Sequence, residues 1–139
     1  MDEQTWEEIN HLKPGANYGL PRHEGFDGGD RFEKPFFAYK HDHLPNTPPS
    51  TSGCAITGGT FYYPPAGSST PVPALYEGDY FFADFCNNWI CRLVDADGGR
   101  VRRFASGASF PVDLKVGPEG GLYYLEQSGS VRVIRPRTP

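Results

Sequence analysis

The sequence predicts an all-β fold. Three observations carry the prediction. The 139 residues hold 17 glycines and 14 prolines, and aromatic residues still make up 14% of the chain. That punctuation is too dense for a helical bundle, and the aromatic content is too high for a disordered chain. The third is the pattern itself, short apolar runs separated by Gly, Pro and Asn turns. Many short strands joined in this way build a sandwich, a barrel or a propeller.

The elements follow in order. Residues 4–12, QTWEEINHL, suit helix or strand on local propensity. KPGANYGLPRHEG comes next, with turn signals at Pro14-Gly15, Gly19 and Pro21. Residues 35–40, PFFAYK, read as a short strand. Residues 42–53 are a polar loop with Pro45, Pro48 and Pro49. CAITGGTFYY (54–63) is a strand with glycines inside it, and PPAGSSTPVPALYEG (64–78) is a loop of ordinary linker composition. DYFFADF (79–85) is a strand. Asn87-Asn88 suits a two-residue turn because Asn tolerates positive φ. WICRLVDA (89–96) returns from it, and Asp97-Gly98-Gly99 turns the chain into RVRRFAS (100–106).

These four antiparallel strands occupy about fifty residues, the size of one propeller blade. FPVDLKVGP (110–118), GLYYLEQ (121–127) and SVRVIRP (130–136) supply three more strands. Propellers often complete their last blade with a strand from the other terminus, so the missing strand is expected upstream of Met1. The expected organisation is therefore the end of one blade with connecting loops (1–53), a four-stranded blade (54–106) and a three-stranded terminal blade (107–139). Each blade buries its faces against two neighbours, so such a piece should leave an apolar face open and be marginal alone.

Charge and motifs exclude several functions. The net charge is −4 and the isoelectric point about 5.5. No basic block or RNA-binding motif is present, which speaks against nucleic acid as a partner. Arg92, Arg100, Arg102, Arg103, Arg132, Arg135 and Arg137 alternate along strands and read as a solvated sheet face. No apolar run is long enough to span a membrane. Met1-Asp2-Glu3-Gln4 lacks the features of a signal peptide. There is no Walker loop, dinucleotide fingerprint, nucleophile elbow or paired CxxC motif.

Several residues invite a closer reading. Cys54 starts one strand and Cys86 ends the next, so a cross-strand disulfide is geometrically open to them. The alternative is three free buried thiols. With a two-residue turn at Asn87-Asn88, Cys86 faces Trp89 and Cys91 faces Asp84. Cys91 is then only diagonal to Cys86, too far for a bond. His41-Asp42-His43 lacks a third metal ligand at fixed spacing and reads as a loop histidine pair. Asp27-Gly28-Gly29-Asp30 and Asp95-Ala96-Asp97-Gly98-Gly99 resemble calcium loops without the full ligand set. Thr57-Gly58-Gly59 opens a blade on an inner strand, where glycine allows either a ligand or a neighbouring blade to come close. Asp84 and Asp113 face a pocket or hold blades together, and the structural role is favoured for both. Tyr18, Arg22 and His23 sit on a loop expected at a propeller mouth, near a ligand.

The runs TWEEINHLKPGANYG, PRHEG, PFFAYKHD, GCAITGGTFYYPP, YEGDYFFADFC and FPVDLKVGPEGGLYYLEQSGSVRVI, in that order, resemble the end of the soluble quinoprotein glucose/sorbosone dehydrogenases. The resemblance covers nearly the whole chain. It implies the C-terminal blades of a six-bladed propeller, with pyrroloquinoline quinone (PQQ) in a central pocket and calcium beside it. It implies oxidation of an aldose to its lactone, a His base taking the hydroxyl proton while hydride passes to the quinone. It also implies a periplasmic or secreted home. Tyr18, Arg22, His23, Thr57 and Gly58 are the expected contributors to the cofactor pocket.

That family's catalytic His lies in an early blade, so none of His11, His23, His41 or His43 inherits the role. Much of the calcium site is expected upstream too. The PQQ-binding members carry Lys at the position matching Cys86, and Arg at those matching Phe110 and Val112. Each lost charge-assisted contact is worth roughly 1.5–3 kcal/mol, so PQQ binding should be severely weakened. Leu20 stands where the family tends to have Trp, and Leu cannot stack on a planar ring. Three readings result: part of a sugar dehydrogenase, a non-catalytic propeller that binds a carbohydrate or a protein, or a segment that assembles with copies of itself or with the missing blades.

Overall fold

The computed structural model describes residues 5–26, 28–41, 53–94 and 100–137. Two compact units divide the chain, Met1–Ile56 and Thr57–Pro139. Among the described residues the regular structure is β-strand apart from two single 3-10 turns, Gly29–Arg31 and Ala74–Tyr76. The expected all-β class is what the chain has.

In the first unit, the WEEI of QTWEEINHL resolves as strand. β1 (Trp6–Ile9) pairs antiparallel with β2 (Phe37–Lys40), with Trp6 opposite Lys40 and Ile9 opposite Phe37. The pairing settles what local propensity left open, because a partner strand supplies the ladder and the cross-strand contacts. The Lys40 ammonium lies 5.0 Å from the centre of the Trp6 ring. Gly25, at φ +65°, lets the chain pass under that ring, where a Cβ would stand 2.6 Å from it. The Glu24 carboxylate accepts the backbone N–H groups of Thr5 and Trp6, each at 3.2 Å. It thereby closes the otherwise unpaired start of β1.

The second unit holds two antiparallel sheets. β3 (Ile56–Phe61), β4 (Tyr80–Asp84), β5 (Trp89–Val94) and β6 (Arg100–Ser106) are neighbours in sequence order. β7 (Pro111–Val116), β8 (Leu122–Glu126) and β9 (Val131–Ile134) form the other sheet, again in sequence order. Strand alternation sorts the side chains. Tyr62, Phe81, Ala83 and Ile90 point to one face of the four-stranded sheet and form a buried core with Val72, Ala108, Leu114 and Leu122. Each large apolar side chain fully buried there contributes about 1.5–3 kcal/mol. Tyr62 is anchored as well as buried: its hydroxyl reaches the Gly120 carbonyl at 2.8 Å and the Val72 carbonyl at 3.2 Å. Phe82, Trp89, Cys91 and Leu93, on the opposite face, are buried too. A sheet buried on both faces explains why YFFAD and WICRLV lack a clean polar alternation.

The hairpin between β4 and β5 corrects the expected register. Asp84 pairs with Trp89 and Phe82 with Cys91. The connection is therefore Phe85–Asn88, not Asn87-Asn88 alone, and Cys91 does not face Asp84. The reason is an Asx turn. The Asp84 carboxylate accepts the Asn87 N–H at 2.7 Å, which wraps the chain through two extra residues. Asn88 does take positive φ, at +55°.

Candidate functional site

The loop of the first unit brings Tyr18, Arg22 and His23 onto one short stretch. Gly19, at φ +100°, makes the turn. Its carbonyl accepts the N–H groups of Arg22 at 2.9 Å and His23 at 3.0 Å. The Tyr18 hydroxyl donates to the His11 carbonyl and accepts the Lys13 N–H at 3.0 Å, so it is engaged in holding the loop itself. The His23 ring lies 4.9 Å from Phe32, centre to centre. Arg22 and His23 are exposed, as is Leu20.

Glu7 was missed by sequence reading. One of its carboxylate oxygens lies 2.7 Å from His41 Nε2, and the other accepts the Ile56 N–H at 2.7 Å. It ties β1 to His41, just past β2, and to Ile56, the last residue of the first unit. A Glu in the middle of a strand gives no sequence signal for such a tie. His41 is thus bonded to a carboxylate, while Asp42 and His43 lie outside the described residues. So do Asp27, of the first calcium-like loop, and all of Asp95–Gly99. Among the described residues no cluster of three metal-ligating side chains is present.

In the second unit Thr57 and Gly58 serve a close approach of β3 to β7. The Thr57 hydroxyl donates to the Pro111 carbonyl at 2.5 Å. A Cβ on Gly58, at φ +58°, would stand 2.7 Å from Asp113 Cα. Asp84 is fully buried, and Asp113 accepts the N–H of its neighbour Leu114 at 2.9 Å. Cys54 and Cys86 are disulfide-bonded. Cys91 is a free, buried thiol that desolvation pushes up to about 12.

A second arrangement unseen in the sequence lies where β6 runs into β7. Phe110 adopts φ +45°, a left-handed conformation rare for a bulky residue. Its N–H donates to the Asn88 side-chain oxygen at 2.8 Å, and its carbonyl accepts the Gln127 N–H at 3.0 Å. The Asn88 carbonyl also accepts the Ala108 N–H at 3.1 Å. The Phe110 ring remains 45% exposed and lies 5.2 Å from the Phe85 ring. Phe85 precedes Cys86 of the disulfide, so an aromatic pair, a strained backbone and a covalent link share one corner.

Antiparallel sheets of four and three strands in sequence order define the fold against which solved structures can be compared. No protein-family model matches the chain, and no curated protein does. Solved structures are similar to it, two of them as follows. One is an oxidoreductase (glucose dehydrogenase) from Thermus thermophilus, at 24% identity and TM-score 0.61, covering 92% of this chain and 35% of that one. The other is the PQQ-bound form of an aldose sugar dehydrogenase from Streptomyces coelicolor, at 21% identity and TM-score 0.60, covering 96% and 36%. The chain thus has a fold found in sugar dehydrogenase structures and spans about a third of their length. These neighbours are of the kind the sequence motifs resemble.

The quinone is a polycarboxylate, so its pocket calls for cations. The three positions that the resemblance assigns to that task do not provide them. Cys86 is tied into a disulfide, Phe110 is an aromatic residue and Val112 is aliphatic. Those three side chains offer no cation to the anionic groups of PQQ.

Proposed function

We propose that the chain is the C-terminal part of a six-bladed propeller on the sugar-dehydrogenase plan, and that the whole protein takes an aldose. In this reading 54–106 is a complete blade and 107–139 a three-stranded terminal blade, with 1–53 the end of the blade before. The observation that carries the reading is the backbone likeness to two sugar dehydrogenase structures over 92% and 96% of the chain. The motif order points the same way. The disulfide is in keeping with a periplasmic or secreted setting.

By the same resemblance the whole protein oxidises the aldose to its lactone, with PQQ and calcium. Its His base and most of its calcium ligands lie outside this chain. The chain supplies no catalytic group, only part of a pocket wall. A second reading is favoured by Cys86, Phe110 and Val112: a propeller that holds a carbohydrate or protein without the quinone. Dye reduction by the whole protein with aldoses, after addition of PQQ and calcium, separates the two. Turnover supports the dehydrogenase reading. No turnover, with no rise in melting temperature on adding PQQ, leaves the binding propeller.

A further inference from the structure

We propose that Phe110 and Phe85 form a stacking platform for the uncharged ring face of a sugar. The inference rests on the aldose reading above and assigns the residues that would carry it. The Phe110 backbone is held in a conformation that bulky side chains avoid, at φ +45°. Such outliers persist only where the surroundings over-determine them, and they concentrate at ligand sites. The surroundings here do over-determine it. Asn88 fixes the Phe110 N–H at 2.8 Å and the Ala108 N–H at 3.1 Å, and Gln127 fixes the Phe110 carbonyl at 3.0 Å. The Ser109 N–H donates to the Glu126 carboxylate at 3.3 Å.

Phe110 is 45% exposed in this chain, and its strained backbone sets where the ring lies. It holds the ring beside Phe85 at 5.2 Å. A rigid aromatic surface can receive an apolar ring face with little loss of conformational entropy. Cys86 in its disulfide, Phe110 and Val112 offer no cation, which disfavours an anionic ligand and leaves a neutral one. The C–H face of a pyranose matches that surface, and both solved neighbours are named as sugar dehydrogenases.

The test is a calorimetric titration of the whole protein with D-glucose, D-galactose, D-mannose and D-xylose, run on the wild type, Phe110→Gly and Phe110→Tyr. Glycine accepts positive φ without strain, so F110G should keep or raise the melting temperature. It should bind the preferred aldose at least about tenfold more weakly, and F110Y should retain the affinity. Equal affinity in F110G overturns the platform and leaves the aldose reading standing. A clear fall in F110G melting temperature also overturns it, since the ring would then be packing. A wild type that binds none of the four sugars defeats the aldose reading and the platform with it.

Discussion

The backbone of Gly58 lies against that of Asp113. A Cβ on Gly58 would stand 2.7 Å from Asp113 Cα and 2.8 Å from the Leu114 nitrogen. Neither atom belongs to a movable side chain, so the clash can be relieved only by parting β3 from β7. Positive φ at Gly58 adds a second penalty for any residue with a Cβ. Gly58→Ala should therefore lower stability by about 3 kcal/mol, read as a shift of the urea midpoint. An unchanged midpoint would mean that the two strands do not touch at this point.

The disulfide gives a second prediction. Peptide mapping under non-reducing conditions should recover Cys54 linked to Cys86, with Cys91 alkylated only after unfolding. Replacing both bridging cysteines by serine should lower stability by about 2–4 kcal/mol. Recovery of a Cys86–Cys91 peptide would contradict the pairing.

Buried Asp79 and partly buried Arg92 form an ion pair, with 6% and 15% of their side chains exposed. The guanidinium also lies 4.7 Å from the Tyr76 ring centre. Arg92→Met leaves the Asp79 carboxylate buried without its cation and should cost about 3–5 kcal/mol. The double variant with Asp79→Asn should recover part of that loss. A double-mutant cycle in urea measures the coupling; strict additivity would mean that the pair is not formed.

The Cys91 thiol gives a pH dependence. Burial raises its folded pKa from 9.0 to about 12. The unfolded chain therefore loses this proton first as the pH rises. The contribution is fully present below pH 9 and is lost as the pH climbs toward about 12. Burial raises the Tyr80 hydroxyl in the same direction. Stability should fall above pH 9 with a slope of up to about 1.4 kcal/mol per pH unit from the thiol. Cys91→Val should flatten that slope, as measured by urea unfolding at stepped pH.

Much of the second unit was legible because its signals are local. Short runs rich in aromatic and aliphatic residues set the strands of YFFAD and WICRLV, turns bound RVRRFAS, and glycine turns separate β7, β8 and β9. The register of the β4–β5 hairpin was not legible. It depends on whether Asp84 wraps the chain through an Asx turn, and Asn87-Asn88 alone suggests a tighter one. QTWEEINHL could not be assigned without its partner strand, because Trp, Glu and Ile serve either structure. Phe110 hid its role completely. Positive φ is announced by Gly or Asn, and here a phenylalanine is forced into it by Asn88 and Gln127. The Glu7 tie to His41 and Ile56 was equally silent, being made between residues far apart in sequence.

A crystal structure of the whole protein tests the central claim most directly. We predict six sheets around one axis, with β7, β8 and β9 joined by a fourth strand from elsewhere in the polypeptide. A sandwich or closed barrel, with β9 left as a bare edge, would contradict it.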